Sequence, residues 1–305
     1  MNDSDTTSNS NQSTPPNKTA IVLFCKLPYI TNLHTLTSNH TANKSIQCKT
    51  RLSNRIGVEQ CNLFVWSTIR DLLIELNGIQ HIYNNTSIDI IIYYTPCEHE
   101  HIIQYELQRL QLDSSKYILW ATDHTIELYQ NNNTLHSSND TTNTQTSNLT
   151  IYLQSALYRL SCSNYTHTIL IGSDCIDISC HILYNAIDTI MQPNTSYIIP
   201  AMDGGYCLLG IPIYNTDNTV LYNIFMNVQW STDTTSQTQR DQLIQSGLAV
   251  IDGATLSDID DIADLRVLCD RMRQSPELRK RCVYTALFCA ELISTYHDDT
   301  ALHLL

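Results

Sequence analysis

The chain has 305 residues, 42% of them hydrophobic, and a formal net charge of −13. That length supports one large or two modest domains with ample core. The acidic balance argues against binding along a nucleic-acid backbone, which needs clustered Lys and Arg. No apolar run approaches the roughly 20 residues that span a bilayer.

Residues 1–18 are rich in Ser, Asn, Thr and Pro and lack the apolar stretch of a secretory signal, which predicts a disordered tail and a cytoplasmic protein. The 11 cysteines are odd in number and form no Cys-x-x-Cys pair. Several, such as Cys25, Cys207 and Cys289, sit in apolar runs, so buried reduced thiols are expected. Thr19 to Cys25 is a continuous apolar run, read as a strand covered on both faces, and Lys26-Leu-Pro28 ends it. Residues 31–45 read as a polar insert. Cys48-Lys-Thr-Arg-Leu52 is a basic turn before an amphipathic helix from Val58 to Leu76, which Asn77-Gly78 stops. Ile88 to Tyr94 is a second buried strand and Glu98 to Leu110 a helix. Residues 130–148 are Asn/Thr/Ser low complexity, read as a mobile loop.

A helix over Leu149 to Leu160 and a third buried strand, Thr168 to Gly172, follow, the strand ending in Ser-Asp-Cys-Ile-Asp177. Ser179 is placed to cap a helix through Met191. Ile198 to Ile211 then reads as strand, turn and strand. Three of the chain's 8 glycines, Gly204, Gly205 and Gly210, fall within it. Glycine permits positive φ and close backbone approach, so Asp203 either offers a ligand both a carboxylate and bare peptide or caps a tight hairpin. Trp230-Ser231-Thr232 leads into a helix closed by Gly247. Trp230 either stacks on a substrate or fills a half-buried loop. Leu248 to Ile251 is a strand, Ser257 to Asp264 opens an acid-rich helix, and residues 274–305 form a helical extension.

Strands alternating with helices predict an α/β fold, a single Rossmann-like domain over residues 19–273 with a mostly parallel sheet. Ligands of such sheets lie beyond the carboxyl ends of the strands. Lys26, Asp174, Asp177 and Asp203 fall there. Between Tyr117 and Gln239 the only cation is Arg159, against nine carboxylates. Acids without side-chain partners either spread over a solvated face or converge on a metal ion. By contrast Lys26, Lys49 and Arg51 lie in the basic first 55 residues, where an anion would be held.

In order along the chain, Leu23-Phe-Cys-Lys-Leu-Pro28, Lys49-Thr-Arg-Leu52, Ile171-Gly-Ser-Asp-Cys-Ile-Asp177, Pro200-Ala-Met-Asp-Gly-Gly-Tyr206, Trp230-Ser-Thr232 and Asp258-Ile-Asp260 resemble a glycosyltransferase-like family. Its members occur in bacteria beside radical-SAM and selenium-domain proteins, within the nucleotide-diphospho-sugar transferase (GT-A) superfamily. The resemblance implies a transferase using a nucleotide-activated donor, an NDP-sugar or an NTP, with Mg²⁺ or Mn²⁺ and an undefined acceptor. Carried onto this sequence it places Asp174, with Asp177 beside it, and Asp260 as metal ligands. It puts Lys26, Lys49, Arg51, Gly204 and Gly205 on the phosphates, Tyr206, Trp230, Ser231 and Thr232 at the substrate, and Asp203 at the acceptor as orienting group or general base. The chain departs from the family in three places. Twenty residues separate Pro28 from Lys49, without the family's glycine, the helix from Leu149 lacks the family's glycines and arginine, and Ile176 stands where the family has a proline after Asp174. A non-catalytic interaction protein that kept the fold is the alternative those departures raise.

Overall fold

The computed structural model describes residues 17–28, 48–133, 147–213 and 218–295. The insert read at 31–45 and the tail before residue 17 lie outside them. One mixed sheet organises the chain. Its strands are β1 (Lys18–Lys26), β2 (Ile82–Tyr83), β3 (Thr86–Thr95), β4 (Tyr117–Ala121), β5 (His167–Gly172), β6 (Thr195–Pro200), β7 (Tyr206–Pro212) and β8 (Ala249–Asp252). The order is β4-β3-β1-β5-β7-β6-β8, with β2 beside the start of β3. β1 runs parallel to β3 and β5, β3 to β4, and β6 to β8, while β7 is antiparallel to both β5 and β6.

The sheet is buried on both faces, and strand periodicity distributes its side chains between two cores. In β1, Ile21 and Leu23 enter the larger core, whereas Ala20 and Val22 enter the smaller one on the opposite face. All four are fully buried. Burying each of the three larger side chains is worth about 1.5–3 kcal/mol, which is why a short run with no polar face forms the central strand.

The larger core is covered by α1 (Thr50–Ile56), α2 (Val58–Asn77), α3 (Glu100–Arg109), α6 (Cys180–Ile190) and α9 (Ile262–Gln274). It also takes residues of α10 (Pro276–Arg281) and α11 (Val283–Thr295). The smaller core lies under α5 (Asn148–Cys162), α7 (Asn218–Asn223) and α8 (Thr235–Gln245). The helix expected to close the chain is two helices broken at Cys282, and Phe288, Cys289 and Leu292 belong to the main core. Elements that were not expected include α1, where a basic turn was read, β2, and α4 (Thr122–Asn133), which continues from β4 into the stretch read as a loop. Thr125 Oγ1 donates to the Ala121 carbonyl at 3.0 Å, joining the helix to its strand. No helix among the described residues is long and apolar enough to cross a membrane.

Candidate active site

The carboxyl ends of β1, β3, β5 and β6 open on a cleft of about 880 Å³. A recess of about 370 Å³ adjoins it and shares Lys26, Arg51, Asp174 and Asp260 with it. Three loops deliver the charged groups. Asp174 follows β5 directly, and a Cβ at Gly172 would approach its Oδ1 to 2.7 Å, so glycine there leaves the carboxylate room. Asp203 sits on the turn between β6 and β7, where its Oδ1 accepts from the Gly205 N–H at 2.8 Å. Gly204 has φ +91°, and a side chain on it would overlap the Asp233 backbone. The Ser236 N–H donates to its carbonyl at 2.8 Å, so only glycine permits this close docking of the turn on the loop before α8.

The third loop runs on from β8. Leu256 N–H donates to the Pro200 carbonyl at 2.9 Å and its own carbonyl accepts from Met202 N–H at 3.0 Å, which prolongs the β6–β8 pairing up to the turn. Ile259, 2% exposed, plugs into the main core. Asp258 and Asp260 on either side of it come beside Asp203, with one oxygen of each carboxylate within 4.8 Å of the others. These two residues precede α9. The helix itself is capped by Asp261, which accepts from Ala263 and Asp264 N–H in a reciprocal capping box.

Lys49 supplies the opposing charge. It adopts a left-handed backbone (φ 45°, ψ 66°) at the start of α1, a conformation that costs a non-glycine residue about 1–3 kcal/mol. Its ammonium donates to Asp260 Oδ1 at 2.9 Å and to Asp174 Oδ2 at 3.1 Å, with only 13% of the side chain exposed. Arg51 donates to Asp260 Oδ2 at 2.6 Å. Burial works against both partners. It would lower the Lys49 pKa, but Asp174 and Asp260 raise it well above its ordinary value. It would raise that of Asp260, yet Lys49 and Arg51 hold it below the carboxylate range. Asp258 has no such partner among the described residues: burial, and then the charges of Asp203, Asp174 and Asp260, push its pKa up to about 6. A ring of carboxylate oxygens with excess negative charge suits a hard divalent cation. The Lys49 ammonium lies to one side of that ring, between Asp174 and Asp260.

The other expected residues have definite places. Asp177 is not brought to this cluster; Arg271 takes it at 2.5 Å, with Arg281 at 3.9 Å, so its charge is already answered. The N–H groups of Gly204 and Gly205 bond to the Ala201 carbonyl and to Asp203, so these glycines shape the turn rather than present donors to a phosphate. Lys26, Tyr206, Trp230, Ser231 and Thr232 all line the cleft. The Trp230 indole N–H donates to Thr150 Oγ1 at 2.7 Å, and the Thr232 hydroxyl to the Gln229 carbonyl at 2.9 Å. Sequence reasoning took Asp258 only as a helix-start charge and missed the wall made by Phe24, Tyr93, Leu149 and Tyr152. An Asp-Ile-Asp triplet whose central residue is apolar was the available signal for Asp258.

The sheet is mixed and mostly parallel, flanked by helices, with opposed charges gathered at the carboxyl ends of its strands. A crystal structure from Desulfovibrio desulfuricans G20, provisionally designated a nucleotide-diphospho-sugar transferase, has this fold. It superposes with a TM-score of 0.64 at 18% identity, over 94% of this chain and 97% of that one. A cytidylyltransferase from Leptospira borgpetersenii scores 0.45 at 9% identity, covering 92% and 94% of the two chains. The 4-diphosphocytidyl-2C-methyl-D-erythritol synthase of Anaerococcus prevotii scores 0.45 at 10%, covering 85% and 97%. No curated protein matches the sequence. The chain belongs to the family described as "Uncharacterized protein conserved in bacteria (DUF2064)", whose profile matches residues 79–232.

Proposed function

We propose that the protein transfers a glycosyl group from a nucleoside diphosphate sugar to an acceptor hydroxyl with the help of a divalent cation. The observation that carries this reading is Lys49 and Arg51 paired against Asp174 and Asp260 beside two further carboxylates. One cleft then offers cations to a diphosphate and acids to a metal ion. Asp258 and Asp260, the less exposed of the triad, would hold Mg²⁺ or Mn²⁺. The ion, when bound, neutralises charge on the departing diphosphate.

The protein's own groups do the rest. Lys49, relieved of Asp174 and Asp260, and Arg51 pair with phosphate oxygens, Arg51 through its planar fork. Lys26 stands at the end of β1 beside them. Asp203, exposed on its turn, takes the acceptor proton. The acceptor oxygen bonds to the anomeric carbon as that carbon's bond to the diphosphate oxygen breaks. The diphosphate leaves with the bonding pair.

The test is thermal denaturation with nucleoside diphosphates and NDP-sugars, with and without Mn²⁺. A ligand at about one hundred times its Kd stabilises the folded state by about 2.7 kcal/mol. At least one nucleotide is expected to raise Tm only when Mn²⁺ is present. Asp260→Asn removes that shift in a protein that still folds, and Asp203→Asn keeps the shift but loses turnover of the donor. The absence of any shift across the panel overturns the transferase reading in favour of a partner-binding protein. A shift that survives Asp260→Asn, or vanishes with Asp203→Asn, overturns the assignment of roles.

A further inference from the structure

Asp177 does not reach the carboxylate cluster, but it follows Asp174 closely in the same loop after β5, and its partners come from the far end of the chain. Cys175, Ile176 and Ile178 of that loop are buried in the main core, which pegs it on one side. Its polar atoms are held from α9 and α10. Arg271, in the last turn of α9, meets the Asp177 carboxylate at 2.5 Å, and Arg281, which ends α10, lies 3.9 Å from it. The Arg281 guanidinium also donates to the Ile176 carbonyl at 2.8 Å and to the Ile178 carbonyl at 3.3 Å. The Cys282 thiol donates to the Ile176 carbonyl as well, at 3.7 Å. The side chain of Asp177 and the carbonyls on either side of it are thus gripped together.

The same helix holds the other side of the site. At its start the Asp264 carboxylate accepts from the N–H groups of Asp260 at 2.9 Å and Asp261 at 3.0 Å. Asp264 and Arg271 lie two turns apart on α9, about 10 Å along its axis. One rigid element therefore fixes Asp260 at its first turn and, through Arg271 and Asp177, the loop that carries Asp174. These are the two carboxylates that share the Lys49 ammonium, at 2.9 and 3.1 Å. The sharing matters to a metal ion. With Asp174 in place the ammonium divides its donors between two acids. With Asp174 withdrawn, all of the Lys49 charge falls on Asp260, and a cation seeking that carboxylate has a stronger competitor to displace.

From this arrangement we infer that Arg271 and Arg281 are positioning residues: through Asp177 and the carbonyls of Ile176 and Ile178 they hold Asp174 where it draws Lys49 off Asp260, and so keep the acidic cluster open to a divalent cation. The inference rests on the metal-dependent transferase reading and adds to it two residues that line neither the cleft nor the recess. Both lie beyond residues 79–232, the span that the family profile matches. The helical end of the chain is therefore part of the framework of the site.

Binding of Mn²⁺ to the full chain, alone and with the nucleotide that gives the largest thermal shift, tests this when the free ion is followed by electron paramagnetic resonance below the Tm of every variant. Arg271→Gln and Arg281→Gln are each expected to raise the Mn²⁺ Kd at least about fivefold in a protein whose circular dichroism is unchanged. Arg271→Lys, which keeps the charge, should stay within about twofold of the wild type. Removing a cation by itself favours a bound metal ion, so a weaker site reports displacement rather than charge. A role confined to stability would lower Tm and leave the Kd alone. The decisive comparison is the Asp174→Asn background, where Arg271→Gln should change the Kd no further because the residue it acts through is gone. Should Arg281→Gln fail to fold, Arg271→Gln, which spares the two carbonyl bonds, carries the test. A Kd that neither glutamine variant changes overturns the inference, as does an equal weakening with and without Asp174. Those outcomes leave the transferase reading standing, because the wild type still binds the ion. A wild type that binds no Mn²⁺ in either condition removes the divalent cation from that reading, and this inference with it.

Discussion

His167 begins β5 with its ring largely buried, and burial lowers its pKa to about 4. In the unfolded chain the same ring titrates near 6.5. A depressed value means that the folded state refuses a proton the unfolded state accepts. Its stability is therefore intact above about pH 6.5 and is lost as pH falls toward 4. Discounted for partial exposure, the loss is about 1–3 kcal/mol. Urea titrations at pH 7.5 and 4.5 should show the wild type losing that much more than His167→Gln; parallel losses would refute the assignment. At the same scale, legibility followed chemistry that a residue carries alone. Asp174 and Asp203 were marked by charge at strand ends, Lys49 by a basic turn and Asp260 by the family resemblance, and the four line the cleft and the recess that adjoins it. Asp258 and Asp177 were not separable in this way. What distinguishes them is a partner far along the chain: Arg271 answers Asp177, and among the described residues no cation pairs with Asp258.

Helix α11 is held by a residue of another helix. The Asp71 carboxylate of α2, 3% exposed, accepts from the Tyr284 N–H at 3.0 Å and the Thr285 N–H at 2.8 Å, closing the first turn of α11. Two otherwise orphaned buried donors depend on it. Asp71→Ala should cost about 2–4 kcal/mol, with Asp71→Asn intermediate because one acceptor oxygen survives. Denaturation midpoints measure the cost, and hydrogen exchange should quicken first in α11. A loss below that of an ordinary surface substitution would show that the apolar face of α11 suffices. Elements with a strong apolar period, β1, β3, α2 and β5, were readable because burial on one or both faces dictates the pattern. Helix α4 was not. Its sequence is mostly polar, and it owes its helical start to Thr125 and to packing against α5 rather than to its own periodicity. The break at Cys282 was equally silent, since no proline or glycine marks it.

For the whole molecule, 30 acidic side chains against 17 basic ones imply that compaction works against net repulsion. Raising NaCl from about 0.05 to 0.5 M in EDTA shortens the Debye length from above 10 Å toward 4 Å and should raise Tm by a few degrees. A fall instead would mean that exposed pairs such as Arg51–Asp260 contribute more than the repulsion removes. The alternation of strands and helices made the layered architecture legible as a whole. The order of the sheet was less so. The insertion of β7 between β5 and β6, which turns the Asp203 loop back toward the cleft, depends on long-range pairing that no local pattern records.

The seating of Gly204 against Asp233 bears on how this protein could be redesigned. The hairpin turn and the loop before α8 interlock and behave as one replaceable cassette. Grafting a relative's 230–235 loop alone should misplace Asp203, whereas moving both segments together keeps the base in register. Libraries aimed at the cleft can vary 149 and 152 while leaving that interlock untouched.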